Sequence, residues 1–379
     1  LIMWDHRYLS RLDFRMIPII LVLMVISVLV IASMTGANFD EEETTVFTIW
    51  VMKQIRFFII GWIVYFIIAA LDYRKFKEWV WLFYLGILIL LIGLFFIPTV
   101  HNVQRWYRVP GIPFDIQPSE GAKLVVIMAL SLYLENHKRH IQYIRIPYQA
   151  LLIVLVPFFL ILKQPDLGTA LVLYPIALIL FYLGGVRKKI IKIMTYLALF
   201  ALGFVSLVFL NILSHEQIRP YATKILKEYQ YERLNPNTYH QRASQTATAL
   251  GSWTGSGWRN SDFSGKQWLP AAHTDSVFAA FSEEFGIIGV FFLLLFFSGL
   301  IYFGFQVTAI ANDDFGRLLS AGITAYLAVH MIINMGMMCG FLPITGVPLL
   351  LITYGGSSVI STMAALGILQ SIYSRRFMF

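Results

Sequence analysis

Cysteine is almost absent from this chain of 379 residues: Cys339 is the only one, so no intrachain disulfide framework can staple the fold. Its small apolar side chain is expected to pack between helices. Charge is scarce too. Asp, Glu, Lys and Arg make up 13% of the sequence, against roughly 25% in a soluble domain. No His/Cys cluster has zinc spacing, and neither a Walker loop nor a dinucleotide fingerprint occurs. No repeat with a period of roughly 20–50 residues is evident, and no low-complexity tract. A disulfide scaffold, a zinc module, a nucleotide-binding domain and a solenoid are all excluded.

What is present is apolar. Hydrophobic residues make up 58% of the chain and aromatic residues 16%. The long runs suit membrane helices, since a span needs roughly 20 consecutive apolar residues. The expected fold is an all-α polytopic membrane protein, 1–379 forming one domain with about ten spans. They are placed at about Met16–Met34, Phe57–Leu71, Trp79–Pro98, Pro118–Leu134, Pro147–Leu162, Thr169–Leu183, Ile193–Leu213, Asp275–Tyr302, Leu318–Met338 and Leu351–Ile372. The first run is long enough to span and ends in no small-residue cleavage site, so no cleavable signal is expected. One long loop, about 215–272, separates spans 7 and 8.

The net charge of +8 raises the question of nucleic acid, but the basic residues fall in a topological pattern. With the N-terminus inside, the inner loops and tails hold more than half of the 29 Lys and Arg. The loop Gly36–Thr45 has Asp40 and Glu41–Glu43 and no cation. This is the positive-inside pattern, with both termini cytoplasmic. The unusual polar clusters then all fall on the outer face: 101–118, the QPD turn, the long loop and Asp275.

Asp275 sits on the seam where the polar loop meets span 8, after His273 and Thr274. It reads either as a helix N-cap or as a functional carboxylate at the water–lipid boundary. Glu283 and Glu284 follow about two turns deeper, roughly 12 Å along, and read either as functional carboxylates at membrane depth or as partners of a basic residue. Glu120 and Lys123 lie i, i+3 on one face of span 4. They form either a neutralised pair or a polar floor for a headgroup, with Lys123 free for a phosphate. Asp166, between Pro165 and Gly168 in QPDLGT, also fits a plain turn. In the long loop, Trp253, Trp258 and Trp268 with several tyrosines suit the headgroup level. That loop either lies at the interface or covers an anionic, sugar-bearing lipid. His330 and Asn334, i and i+4, read as interhelical hydrogen-bonding residues rather than metal ligands.

The block Asn334–Leu369, NMGMMCGFLPITGVPLLLITYGGSSVISTMAALGIL, resembles very closely the C-terminal signature of the SEDS family, which includes RodA, FtsW and SpoVE. Arg105–Trp106, QPSE and Lys123 in Gln117–Lys123, QPDLGT at Gln164–Thr169, HTDSVFA at His273–Ala279 and EEFGIIG at Glu283–Gly289 match it in order. The opening WDHRYLSRLDF is more similar to RodA. Two departures stand out. Asp115 occupies the place of an Arg usual shortly before QPSE, in a loop about two residues longer. The family's GSGG..GKG stretch reads GSWTGSGW at 251–258.

The resemblance implies a peptidoglycan glycosyltransferase that polymerises lipid II on the outer face of the bacterial cytoplasmic membrane, for cell-wall elongation. Asp275 is the implied catalytic carboxylate. Glu120, Lys123, Arg105, Gln164, Asp166, His273 and Thr274 are the implied substrate-binding residues. A divalent cation, Mg or Mn, is compatible with a diphosphate leaving group, although no diagnostic ligand set is present. Implied partners are lipid II, a class B penicillin-binding protein, the elongation machinery and membrane lipids, with no nucleic acid. The alternatives are a lipid II flippase, a division-type polymerase, or a scaffold that recruits a synthase.

Overall fold

The computed structural model describes residues 6–36, 46–97, 105–108, 115–210, 212–223 and 231–377. The acidic stretch Asp40–Glu43 and most of the loop 98–114 lie outside them. Among the described residues the chain is all-helical apart from one antiparallel bridge, Tyr107 to Ile116.

Seven long helices precede the outer segment or follow it as single apolar rods. They are α1 (Met16–Thr35), α2 (Ile49–Ala70), α3 (Phe76–Gly93), α5 (Arg145–Lys163), α7 (Lys188–Phe209), α10 (Val277–Ile310) and α11 (Asp314–Met338). Each is long and apolar enough to cross a membrane, α3 with its flanking turns. Three more long helices, α4 (Pro118–Asn136), α6 (Leu167–Leu183) and α12 (Gly356–Ser374), fall short by that measure. They are instead largely buried in protein, where polar residues such as Glu120, Lys123, Thr362 and Gln370 are shielded from lipid. Together these are the ten expected spans, in the expected order. α4, α6, α11 and α12 form the centre, and α3 and α7 present mostly exposed apolar side chains.

Several boundaries move, each for a local reason. α2 begins at Ile49, two turns before the expected Phe57. Lys53 and Arg56 interrupt the apolar run but not the helix, whose first turn is capped by the Thr48 hydroxyl accepting from Val51 N–H. Among the described residues, the segment between α7 and α10 carries two short helices, α8 (His215–Ala222) and α9 (Tyr239–Leu250), too polar to register as spans. Cys339 is exposed at the C-cap of α11 rather than packed between helices.

Span 8 differs most. α10 starts at Val277, so Asp275 lies in the turn before it, and Ser276 occupies the N-cap position. The helix then breaks at Gly286, whose φ of 61° and ψ of −166° are open only to glycine. The break frees four backbone groups, and the 251–257 glycine-rich loop satisfies them. Ser256 and Gly257 N–H donate to Glu283 and Glu284 C=O (2.9 and 3.0 Å), and Ile287 and Ile288 N–H donate to Ser252 and Trp253 C=O (2.9 and 3.1 Å).

Glu283 and Glu284 take part in the same clamp, accepting from backbone N–H groups and serine hydroxyls. Glu283 accepts from Phe263 and Ser264 N–H (2.8 and 2.9 Å) and from the Ser264 hydroxyl. Glu284 accepts from Arg259 N–H (3.0 Å) and the Ser33 hydroxyl.

At the opposite end of the bundle the two chain ends are tied together. Asp13 N–H donates to Gln370 Oε1 (2.7 Å), and buried Arg375 donates to Ala70 C=O (2.7 Å).

The clamp makes a prediction. A methyl at Gly286 would collide with Gly255 N and stand 2.6 Å from Trp253 O, while one at Gly203 meets nothing. Gly286→Ala should cost about 1–3 kcal/mol from backbone strain alone, and Gly203→Ala should be neutral. Melting in detergent and trypsin cleavage in the 251–268 stretch read the difference; equal behaviour of the two variants would refute the clamp.

Candidate active site

A cavity of about 1000 Å³ opens at the end of the bundle beside the outer segment. Three helices begin on its wall: α4 with Glu120, α6 with Thr169, and α12 with Gly356, Ser357 and Ser358. Helix N-termini carry partial positive charge, so the backbone itself biases the cavity toward anions. Arg105, Arg108, Arg233 and Lys53 add side-chain cations, and Asp275, Asp166 and Glu120 bring carboxylates to the same space.

Asp275 is half-buried. Its backbone C=O accepts from Asn334 Nδ2 (3.1 Å), which also donates to Val347 C=O (2.8 Å). One α11 side chain thus ties the carboxylate's segment to the turn 344–350. Gly346 in that turn has φ of 80°, and a Cβ there would stand 3.3 Å from Asp275 Oδ2. The carboxylate accepts no hydrogen bond from any described residue. Burial pushes its pKa above the ordinary Asp range, opposed by Arg105, assisted by Asp166, and opposed again by Arg233.

Asp166 stitches two motifs together. Its Oδ1 caps α6 by accepting from Thr169 N–H (3.3 Å), and its Oδ2 accepts from Gln117 Nε2 (3.0 Å) and Ser119 Oγ (3.1 Å). Arg105 latches onto the same turn through Gln164 C=O (3.2 Å) and Pro165 C=O. Gln164 itself turns away: it is buried and donates to Leu91 C=O (2.7 Å) on α3. Thr274 lines the cavity. His273 stands behind the wall, its ring 5.2 Å from Trp50 and 6.1 Å from Tyr354.

Glu120 lines the cavity but Lys123 does not reach it; Lys123 is 0% exposed. Its ammonium donates to Glu120 Oε1 (2.8 Å) and His330 Nε2 (3.0 Å), and lies 5.2 Å above the Tyr326 ring. His330 Nδ1 is 3.1 Å from Pro348 C=O, which can only accept. The imidazole is therefore the Nδ1–H tautomer, with Nε2 the acceptor for lysine. A buried lysine with three such partners is unavailable to a ligand.

The residues missed by sequence reasoning are Trp50 and Lys53 on the early turns of α2, and Arg233 and His240 from the outer segment. All four line the cavity. His240 Nε2 lies 2.7 Å from the Ser276 hydroxyl, next to Asp275, and burial pushes this imidazole's pKa down. The signal for Trp50 and Lys53 was their i, i+3 spacing ahead of an apolar run.

No group of three or more His, Cys, Asp or Glu is placed to hold a metal among the described residues. Asp166 is already saturated with N–H and O–H donors. Asp275, the exposed Glu232 and the partnerless buried Oε2 of Glu120 leave carboxylate oxygens on the cavity lining without a donor among the described residues. The described residues do not form a ready divalent-cation site.

The Glu120–Lys123 arrangement is testable. Lys123→Met leaves a buried carboxylate without its cation and should cost about 3–5 kcal/mol, whereas Glu120→Gln with Lys123→Met should melt near wild type. If the single variant melts like the double, the pair is not coupled.

A family model described as cell cycle protein, covering FtsW, RodA and SpoVE, matches residues 14–376. The peptidoglycan glycosyltransferase MrdB of Escherichia coli K12 is 31% identical over 376 residues, covering 99% of this chain and 96% of its own. The stage V sporulation protein E of Bacillus subtilis is 32% identical over 379 residues, covering 96% and 98%. Two solved structures share the fold. One is the rod shape determining protein RodA of Thermus thermophilus (TM-score 0.68, 22% identity, 97% of this chain and 98% of that). The other was solved in work on how a peptidoglycan synthase complex coordinates polymerization and crosslinking (TM-score 0.74, 24% identity, 97% and 99%). The chain belongs to the FtsW/RodA/SpoVE family.

Proposed function

We propose that this chain is a peptidoglycan glycosyltransferase that polymerises lipid II, with Asp275 as its general base. The observation that carries the reading is a half-buried carboxylate with no hydrogen-bond partner among the described residues, facing a cavity large enough for a disaccharide and flanked by arginines. The acceptor lipid II presents the 4-hydroxyl of its GlcNAc to Asp275. That oxygen attacks the anomeric carbon of the chain's terminal MurNAc, its proton passes to Asp275, and undecaprenyl diphosphate departs with the bonding pair. A positioned base of this kind contributes typically ~10²–10⁴-fold. One displacement inverts the α-linked donor to a β-linked product and needs one base, not a closely set carboxylate pair.

Glu120 and Thr274 contact the sugar–diphosphate region from the cavity wall, and Arg105 adds positive charge there while its guanidinium holds the 164–165 turn. Lys123, Asp166, Gln164 and His273 hold that wall in shape.

The distribution of basic residues supports both termini in the cytoplasm and the cavity on the outer face of the bacterial cytoplasmic membrane. The chain then acts as one domain in which the 215–272 segment roofs the cavity. A transporter needs sites near the bilayer midplane. Glu283 and Lys123 are instead fully engaged and sealed. The RodA-like opening sequence supports a role in elongation.

Glycan strands must be crosslinked where they are made, which supports a class B penicillin-binding protein as its partner; mild-detergent co-purification that never recovers one would remove this assignment.

The decisive experiment is polymerisation of purified lipid II by the purified protein and by Asp275→Asn. The variant should be inactive. A raised folded-state pKa means the folded protein binds the proton more tightly. Ionised Asp275 therefore costs stability that is lost as pH rises from about 3.9 through the raised value. Asp275→Asn should thus melt at or above the wild-type temperature. The acidic limb of the wild-type rate profile should lie above the usual Asp range. Arg105→Gln removes a cation that favours the charged form and should move that limb to higher pH. An active Asp275→Asn enzyme would overturn the general-base role.

A further inference from the structure

The cavity's cations are not equally available. Arg105 is committed to the Gln164 and Pro165 carbonyls, and Arg108 faces Asp115 at 3.5 Å. Arg233 donates to Thr345 C=O (3.2 Å). Lys123, the cation expected to meet a phosphate, is sealed behind Glu120. Lys53 is different. It lines the cavity, is exposed, and forms no ion pair with any described residue. Its ammonium rests 5.6 Å from the centre of the Trp50 ring, one turn back on α2.

The backbone beneath Lys53 is fixed. Gln54, fully buried, accepts from Gly355 N–H (3.3 Å) and donates to Thr353 C=O (3.4 Å) and the Ser27 hydroxyl (3.3 Å). This turn of α2 is therefore pinned to the segment that opens α12, while the lysine ammonium donates to none of the described residues.

We propose that Lys53 binds the diphosphate of the lipid-linked donor. This rests on the glycosyltransferase reading and adds to it the residue that meets the leaving group. In an inverting displacement the incoming hydroxyl and the departing oxygen lie on opposite sides of the anomeric carbon. The base and the diphosphate site must therefore be apart. Lys53 stands on α2 and Asp275 in the turn before α10, so ammonium and base reach the same cavity from different elements. A compact ammonium suits the leaving group, since lysine binds phosphate as a point charge. Trp50 limits the directions in which that ammonium can swing.

The test is equilibrium binding of undecaprenyl diphosphate to the full-length protein in zwitterionic nanodiscs, with undecaprenyl monophosphate alongside. It is run in the Asp275→Asn background, where turnover does not interfere. Lys53→Gln should weaken diphosphate binding by roughly tenfold to a hundredfold, the scale of a hydrogen bond to a charged group. Lys53→Arg should restore most of it, and the monophosphate should respond less. In active protein, Lys53→Gln should raise KM for lipid II and leave the acidic limb set by Asp275 in place. Lys53 is solvent-exposed, so melting should not change; if Lys53→Gln does not fold, Lys53→Met serves in its place.

Binding and KM within twofold of wild type would overturn the assignment and leave Lys53 a lysine facing membrane headgroups. So would a loss that appears only when anionic lipid is added to the nanodisc. If Lys53→Gln binds normally while Asp275→Asn is inactive, only the Lys53 assignment fails. If Asp275→Asn polymerises lipid II, the glycosyltransferase base has failed instead.

Discussion

Irregular backbone inside a helical bundle must find its hydrogen-bond partners among side chains, because water is scarce there. That constraint organises this protein. The turn 344–350 is not helical, and its carbonyls would be orphaned in the centre of the bundle. One face of α11 supplies the partners: His330 for Pro348 and Asn334 for Val347. Met337 Sδ receives the Thr345 N–H. α2 does the same through Gln54 for the segment 353–355. Polar residues in buried helices are thus the scaffold of the cavity's irregular wall. Because Asn334 also holds Asp275 C=O, the scaffold and the carboxylate's position are one piece of architecture.

The same economy appears in the charges. Lys123 and Glu120 satisfy each other, and His330 accepts a third contact while its opposite nitrogen holds Pro348. A buried ion pair contributes little net stability, but losing one member is costly. The pair therefore couples α4 to α11 at the cavity floor. Asp275 is the opposite case, a carboxylate with no hydrogen bond or ion pair from a described residue and a pKa raised by burial. Such a group is destabilising where it stands, which is what a base requires: its lone pair must be left for an incoming proton.

The parts legible in the sequence are those whose signal is local. The ten long helices follow from apolar runs, and Asp275, Asp166, Glu120 and Gln117 follow from motifs that do lie together. Long-range partners were not legible. Lys123 looked like a phosphate ligand because nothing nearby reveals that His330, 207 residues away, takes its ammonium. Lys53 and Trp50 were lost because two charges shortened the apolar window at the start of α2. Gly286 was hidden for a different reason: a glycine in an apolar run reads as uninterrupted helix. Only the distant 251–257 loop reveals that its carbonyl and amide neighbours are satisfied from outside.

The break at Gly286 also sets where the chemistry stands relative to lipid. Before it, Val277 through Glu284 are buried in protein. After it, Ile287, Ile288, Phe291 and Phe292 are exposed, as lipid-facing residues are. Trp253, whose carbonyl caps the restarted helix at Ile288, is 71% exposed at this same level, where an amphipathic ring belongs. The part of α10 that follows Asp275 is therefore packed in protein and tied to the 251–264 stretch, unlike the later turns. The Asp275 carboxylate and the cavity's cations can meet there without facing hydrocarbon, where each would cost several kcal/mol. A continuous helix would carry the lipid-facing pattern directly into the cavity wall. The glycine break, filled by a loop rather than by water, separates the two environments within a single span.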